Sequence, residues 1–278
     1  MIPHPNIDPT LLKLGPLQVR WYGLMYFLGY VIGFFLFKYR RKQGVFPVSE
    51  RAIENLPIYL MLGMLIGARI FYVFIYNFDY YQIHPGEIFS VWNGGLSFHG
   101  AAVGMTAACF LFARRYNAPF YSVSDTLAYA AGPGYFLGRM GNFINQELYG
   151  RATDAPWGVL FPSDPSRLPR HPSQIYQAVL EGLLLFLFLH FYQRIMVKSG
   201  RFKHGMIGAW YLILFGFFRF CVEFAREPDA QLGYYFGWMT MGQILCVIMS
   251  LIGVGVLLHV RKSQESFDPK KSELIVDG

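Results

Sequence analysis

Residues 138–150, Gly138-Arg139-Met140-Gly141-Asn142-Phe143-Ile144-Asn145-Gln146-Glu147-Leu148-Tyr149-Gly150, set an arginine, two asparagines and a glutamate among three glycines, directly after an apolar run. Ionisable groups at the edge of hydrocarbon are costly and mark functional sites by default. Glycine lets backbone approach a ligand or another helix closely. The combination reads as a binding site for an anionic group at a membrane boundary. A second cluster, Arg219, Glu223 and Arg226, repeats at helical spacing and shares one face. Two or more arginines at headgroup depth suit a phosphate, through paired, charge-assisted hydrogen bonds. A histidine beside such a site is a general base near neutral pH, and His99 is the candidate. Arginines that hold a phosphate also stabilise charge on it as a leaving group. Together these residues point to transfer of part of a phospholipid onto an acceptor. A phospholipid transporter or flippase needs similar cations, and the residues alone leave both readings open.

The elements that must position these groups are membrane spans. The chain has 278 residues, 54% hydrophobic and 15% charged, with mean hydropathy +0.32. Soluble domains carry about 25% charge. Runs near 20 apolar residues cross the bilayer, and seven are expected, at about Trp21–Phe37, Leu56–Tyr76, Gly94–Ala113, Ala118–Gly138, Pro172–Gln193, Gly205–Ala225 and Phe236–His259. The fold expected is an all-α polytopic membrane protein with seven transmembrane helices. Its membrane domain covers residues 1–260, a small periplasmic cap residues 139–171, and a polar cytoplasmic tail residues 261–278. Met1–Pro16 lacks a basic start followed by an apolar core and does not read as a signal peptide.

Basic residues set the orientation. Lys38, Arg40, Arg41, Lys42, Arg51, Arg114, Arg115, Arg194, Lys198, Arg201, Lys203, Arg261, Lys262, Lys270 and Lys271 fall on one side. Only Lys13, Arg20, Arg139, Arg151, Arg167, Arg170 and Arg226 fall on the other. The N-terminus is therefore expected outside, in the periplasm, and the C-terminus in the cytoplasm. The net charge of +7 follows these span-flanking residues and faces anionic lipid, with no nucleic-acid partner implied. In this orientation Tyr22, His99, Arg139, Asn142, His171, Gln174, Arg219, Glu223 and Arg226 all fall near the outer leaflet, which implies one cavity open to it. Glu181, deep in span five, requires a partner, such as an arginine of a neighbouring span. Arg69 reads as a structural anchor, and Asp125 as a helix-start or packing residue. Cys109, Cys221 and Cys246 lie in apolar runs, and no spacing resembles a metal site.

The 138–150 segment closely resembles the motif of bacterial prolipoprotein diacylglyceryl transferases, Gly-Arg-x-Gly-Asn-Phe-x-Asn-x-Glu-x-aromatic-Gly. Supporting matches are Arg20-Trp21-Tyr22-Gly23, Gly95-Leu96-Ser97-Phe98-His99-Gly100, His171-Pro172-Ser173-Gln174 with Tyr176 and Glu181, and Arg219-Phe220 followed by Glu223 and Arg226. The resemblance runs from about residue 10 to 260. It implies transfer of the diacylglyceryl group of phosphatidylglycerol to the lipobox cysteine thiol of a prolipoprotein signal peptide. A thioether forms and glycerol phosphate leaves, in the inner membrane, with no cofactor and no metal. It implies Arg139 as a phosphate ligand, Arg219 as a second phosphate or leaving-group contact, and His99 as the thiol base. Asn142, Glu147, Tyr22, Gly150, Glu223 and Arg226 are implied to form the substrate site. Two departures stand out: Ala101 follows His99-Gly100 where many members have glycine, and Phe215 stands where some members have a functional tyrosine. Any hydroxyl role at Phe215 is lost or passes to a neighbour such as Tyr211 or Tyr149.

Overall fold

The computed structural model describes residues 1–15, 17–227, 235 and 239–263. The elements in chain order are β1 (Ile2–Pro3), β2 (Thr10–Leu14), β3 (Leu17–Arg20), α1 (Trp21–Lys42), α2 (Glu50–Phe71), α3 (Phe78–Ile83), α4 (Phe98–Arg115), α5 (Phe120–Ile144), β4 (Val159–Leu160), β5 (Pro169–Arg170), α6 (Ser173–Gln177), α7 (Leu185–Lys198), α8 (Met206–Glu223) and α9 (Met241–Ser263). Two π-helical stretches, Tyr72–Tyr76 and Ala178–Leu184, continue α2 and join α6 to α7.

The protein is a predominantly helical, multi-pass membrane protein. Five helical stretches are long and apolar enough to cross a membrane: Trp21–Lys42, Glu50–Tyr76, Ser173–Lys198, Met206–Glu223 and Met241–Lys262. The expected third and fourth spans are also helices, α4 and α5, but fall outside that set. Glycine and alanine dilute the hydropathy of both. α4 also ends on Arg114 and Arg115, and α5 carries Asp125 and Arg139. The expected tail lies outside the described residues from 264 onward, as do residues 236–238 at the start of the expected seventh span. Ahead of α1, β2 pairs antiparallel with β3, which runs directly into the helix.

The described residues form two compact units, one built from Lys38–Ser124, the other from Met1–Phe37 and the chain from Asp125 onward. In the first, Ser49 caps α2 by accepting from the Ala52 amide at 3.3 Å, and Ser97 caps α4 by accepting from Gly100 at 3.2 Å. The two helices pack through facing glycines, Gly63 and Gly67 on α2 against Gly100 and Gly104 on α4. A Cβ on Gly104 would stand 2.9 Å from Gly67 Cα and overlap the Gly63 carbonyl oxygen. Such spacing lets backbones approach where lipid gives no hydrophobic drive for helices to associate. Arg69, the expected anchor, donates to the carbonyls of Glu87, Ile88, Gly94 and Gly95 at 2.7–3.0 Å. It pins the irregular segment after α3 to α2.

In the second unit, Gly29 of α1 faces Gly134 of α5, and Gly182 in the π-helix lies against Phe136. α8 and α9 pack through Gly216, Ser250 and Gly253, and Ser250 donates to the Ile213 carbonyl at 3.2 Å. Asp125 serves α8 rather than its own helix. Its fully buried carboxylate accepts from the Gly205 and Gly208 amides at 2.8 and 2.7 Å, at the positive end of the α8 dipole. A small sheet pairs β1 parallel to β4 and β4 antiparallel to β5.

Replacing Gly104 by alanine is expected to destabilise the protein by about 1–3 kcal/mol through overpacking. Gly255, with open space around its Cβ position, is the control. Gly255→Ala is neutral or stabilising by up to ~1 kcal/mol through helix propensity. Thermal unfolding of the purified variants in detergent separates the two outcomes.

Candidate functional site

The 138–150 segment is not a loop throughout. α5 runs to Ile144, so Arg139 and Asn142 are helical residues on its last two turns. The helix ends in a Schellman turn. The Gln146 amide donates to Phe143 O at 3.0 Å, the Glu147 amide donates to Asn142 O at 3.0 Å, and Gln146 takes φ +56°. This turn folds Glu147 back beneath Asn142. Asn142 donates to Glu147 Oε1 at 2.7 Å and accepts from Arg139 Nη1 at 3.2 Å. Tyr22, on the first turn of α1, packs on Gly141, and its hydroxyl lies 3.1 Å from that of Tyr26. Asn142 and Glu147 thus form a chain that holds Arg139. The Arg139 guanidinium lies over the Tyr135 ring, 4.9 Å from its centroid, a cation–π contact one turn earlier on the same helix.

Tyr135 joins three elements. Its hydroxyl donates to Glu181 Oε2 in the π-helix, and its ring meets Phe215 of α8 edge-on at 5.4 Å. Glu181 is fully buried, and both Arg139 and Arg219 lie within its electrostatic reach. The expected partner was an arginine; the direct partner is a tyrosine, because the π-helix turns Glu181 toward α5. The Phe215 ring stacks on Tyr211 at 5.4 Å and meets the Tyr135 ring of α5 at the same distance. Tyr149 instead stacks on Phe161 at 5.1 Å.

One turn beyond Phe215, Arg219 pairs with Glu223 at 3.3 Å, and Arg226 reaches the same carboxylate oxygen at 3.5 Å. Glu223 Oε1 accepts from the Thr240 hydroxyl at 3.3 Å, and Gly242 leaves it room. Thr240 and Gln243 exchange hydrogen bonds at 3.0 and 3.2 Å, a capping box that fixes the start of α9. The second guanidinium nitrogen of Arg219, Nη1, is buried without a hydrogen-bond partner among the described residues. A buried donor left unpaired is costly. It suits an acceptor brought by a ligand.

Backbone pairing stitches the three motifs of this unit together. Gly150 donates to His171 O at 2.9 Å and bridges Arg226, and Arg151 donates to Ala225 O at 3.0 Å. A Cβ on Gly150 would overlap Ala225 O and stand 2.9 Å from His171 Cβ, so no side chain fits. Gln174, also fully buried, donates to Glu147 O at 2.7 Å. Asp164 pairs with Arg170 at 2.7 Å, and Arg170 with Glu227 at 3.0 Å. Burial raises the Asp164 pKa, but hydrogen bonds from Arg170 and Ser166 outweigh this and hold it at about 2. Burial lowers the pKa of His171, whose Nδ1 lies 3.1 Å from the Tyr176 hydroxyl.

The site residues of this unit, Tyr22, Arg139, Asn142, Glu147, Gly150, Arg219, Glu223 and Arg226, are therefore linked by contacts. His99 belongs to the other unit. It stands on the first turn of α4 with Nδ1 3.0 Å from the Tyr76 hydroxyl. Tyr135, Thr240 and Gln243 add to the set expected from sequence.

Fold and site together define a helical membrane protein that gathers partly buried guanidinium groups around the Glu223 carboxylate, a class of site suited to an anionic lipid. A family model described as prolipoprotein diacylglyceryl transferase matches residues 9–259. The phosphatidylglycerol–prolipoprotein diacylglyceryl transferase of Nitratidesulfovibrio vulgaris is 45% identical over 258 residues, 92% of this chain and 96% of that protein. Those of Ectopseudomonas mendocina and Azotobacter vinelandii are 44% and 46% identical, covering 95% and 92% of this chain and 98% and 96% of theirs. The chain belongs to the prolipoprotein diacylglyceryl transferase family.

The Asp164 carboxyl sits below its ordinary value of 3.8. Its contribution to stability is therefore complete above about pH 4 and lost as pH falls toward 2. Arg170→Ala is expected to remove that acid-labile part and to destabilise the sheet at neutral pH. Unfolding midpoints of both proteins, measured between pH 2 and pH 7, should converge at the acid end.

Proposed function

We propose that the protein transfers the diacylglyceryl group of phosphatidylglycerol to the lipobox cysteine thiol of a prolipoprotein signal peptide. The thiol sulfur bonds to the diacylglyceryl methylene carbon. The bond from that carbon to the phosphate oxygen breaks, and its electron pair leaves with glycerol phosphate. Membership of the family favours transfer over the transporter or flippase reading. The observation that carries the site assignment is the pair of guanidinium groups, Arg139 held by Asn142 over the Tyr135 ring and Arg219 paired with Glu223, with Arg219 Nη1 buried and unpaired.

Arg139 and Arg219 hold the phosphate and stabilise the charge that grows on it as the carbon–oxygen bond breaks. Asn142, Glu147 and Tyr22 keep Arg139 in place. Glu223 and Arg226 orient Arg219, and Gly150 ties the two segments together. His99 takes the thiol proton, with Tyr76 fixing one of its ring nitrogens. The reaction needs no metal and no nucleotide.

The membrane domain is read as seven spans, the five more apolar helices together with α4 and α5. Helices that pack through small residues tolerate glycine and some polar groups. The bias of basic residues places the N-terminus in the periplasm and the C-terminus in the cytoplasm of a bacterial inner membrane. The small sheet with residues 145–171 is then a periplasmic cap, and the site opens to the outer leaflet.

Purified protein incubated with phosphatidylglycerol and a lipobox-cysteine peptide is expected to release glycerol phosphate and raise the peptide mass by one diacylglyceryl group. Lipid redistribution without a mass increase would contradict transfer. Arg139→Ala and Arg219→Ala are each expected to lower kcat/KM at least ~100-fold, about 2.7 kcal/mol of transition-state stabilisation. Lysine at 139 restores little, because it cannot make paired contacts. An Arg139→Ala variant that is folded and fully active removes the phosphate role. His99→Gln retaining the full rate removes the base role.

A further inference from the structure

Glu181 is a fully buried carboxylate that the phosphate and thiol roles above do not use. Among the described residues it hydrogen-bonds to Tyr135 alone, through Oε2, and makes no direct ion pair. Its other oxygen, Oε1, is buried with no hydrogen-bond partner. Both arginines assigned to the phosphate lie within its electrostatic reach, and one of them, Arg219, carries the unpaired buried donor Nη1. The unit therefore holds a buried unpaired donor on Arg219 of α8 and a buried unpaired acceptor on Glu181 of the π-helix. Each costs free energy until a ligand supplies its complement.

A phosphodiester with a hydroxylated headgroup supplies both. Its phosphate oxygen accepts from Arg219, and a hydroxyl a few bonds away donates to a carboxylate. We propose that Glu181, held in register by Tyr135, accepts a hydrogen bond from the headgroup glycerol of phosphatidylglycerol and sets the choice of headgroup. The proposal rests on the transfer reading above. The peptide thiol is a poorer candidate for this acceptor. An S–H group is a weak donor, whereas a hydroxyl satisfies a buried carboxylate oxygen well. The π-helix Ala178–Leu184 explains how Glu181 comes to face α5, and such insertions recur at functional sites.

The test compares phosphatidylglycerol with phosphatidylethanol of the same acyl chains. The latter is a phosphodiester of equal charge with no headgroup hydroxyl. The acceptor is a lipobox-cysteine peptide, and kcat/KM is read from the mass increase. Wild-type protein is expected to prefer phosphatidylglycerol by on the order of 10- to 100-fold, since a site built for a hydroxyl rejects the analogue that lacks it. In Glu181→Leu the preference falls to within about 3-fold of unity, and Glu181→Gln gives an intermediate ratio. Equal use of both lipids by wild-type protein overturns the proposal without any variant, so a Leu variant that fails to fold does not protect it. A Leu or Gln variant that loses both lipids equally, with the ratio unchanged, also overturns it. A rise in peptide KM in that case assigns Glu181 to the peptide. No mass increase from either lipid in wild-type protein overturns the transfer reading, and this proposal with it.

Discussion

Two guanidinium groups held among apolar helices are the constraint on which the second unit depends. An arginine removed from water costs several kcal/mol unless hydrogen bonds and counter-charge replace its hydration. The surroundings of Arg139 and Arg219 meet that demand piece by piece. Asn142 accepts from Arg139, Glu147 orients Asn142, and the Tyr135 ring offers its face to the guanidinium. Glu223 pairs with Arg219 and is itself held by Thr240 at the start of α9. These supports come from three separate stretches of chain: the end of α5 with its turn, α8, and the start of α9.

Among the buried polar atoms left unpaired in the described residues are Arg219 Nη1 and Glu181 Oε1. Folding alone gains nothing from leaving them unpaired. A site that must bind an anionic headgroup and then release it as a better-charged leaving group gains from donors aimed in advance, because they need no reorganisation as the bond breaks. Glycines serve the same end from the backbone side. Gly150 permits the contact between the end of the 138–150 segment and Ala225, so the two arginine-bearing segments share one framework.

Much of this was legible in the chain. The arginines, Asn142, Glu147 and the face shared by Arg219, Glu223 and Arg226 stood out because charge in apolar sequence is costly. The helices stood out by length and hydropathy. Three kinds of feature did not. The reach of α5 to Ile144 was hidden because Gly141 and Asn142 read as loop residues, while the Schellman turn that ends the helix uses a glutamine in the left-handed region. The Glu181 partner was hidden because a π-helix shifts the helical register, so the spacing that pairs residues on an ordinary helix does not apply. Tyr135 was hidden among many aromatic residues, and only contact shows it to be the hub. Other signals were present and passed over. The Gly63/Gly67 and Gly100/Gly104 pairs spell out a close helix crossing, and Thr240 with Gln243 spells out a capping box. The two helices outside the apolar set, α4 and α5, are less hydropathic for a physical reason: both are rich in the small residues through which helices pack closely.

The central claim is that Arg139 and Arg219 grip one phosphate. The most direct measurement is an experimental structure of the protein in lipid with phosphatidylglycerol bound. The account predicts a phosphate oxygen about 2.7–3.2 Å from Arg219 Nη1, with the Arg139 guanidinium on the same phosphate. A headgroup phosphate bound elsewhere, with both guanidinium groups still engaged only by protein, would contradict it.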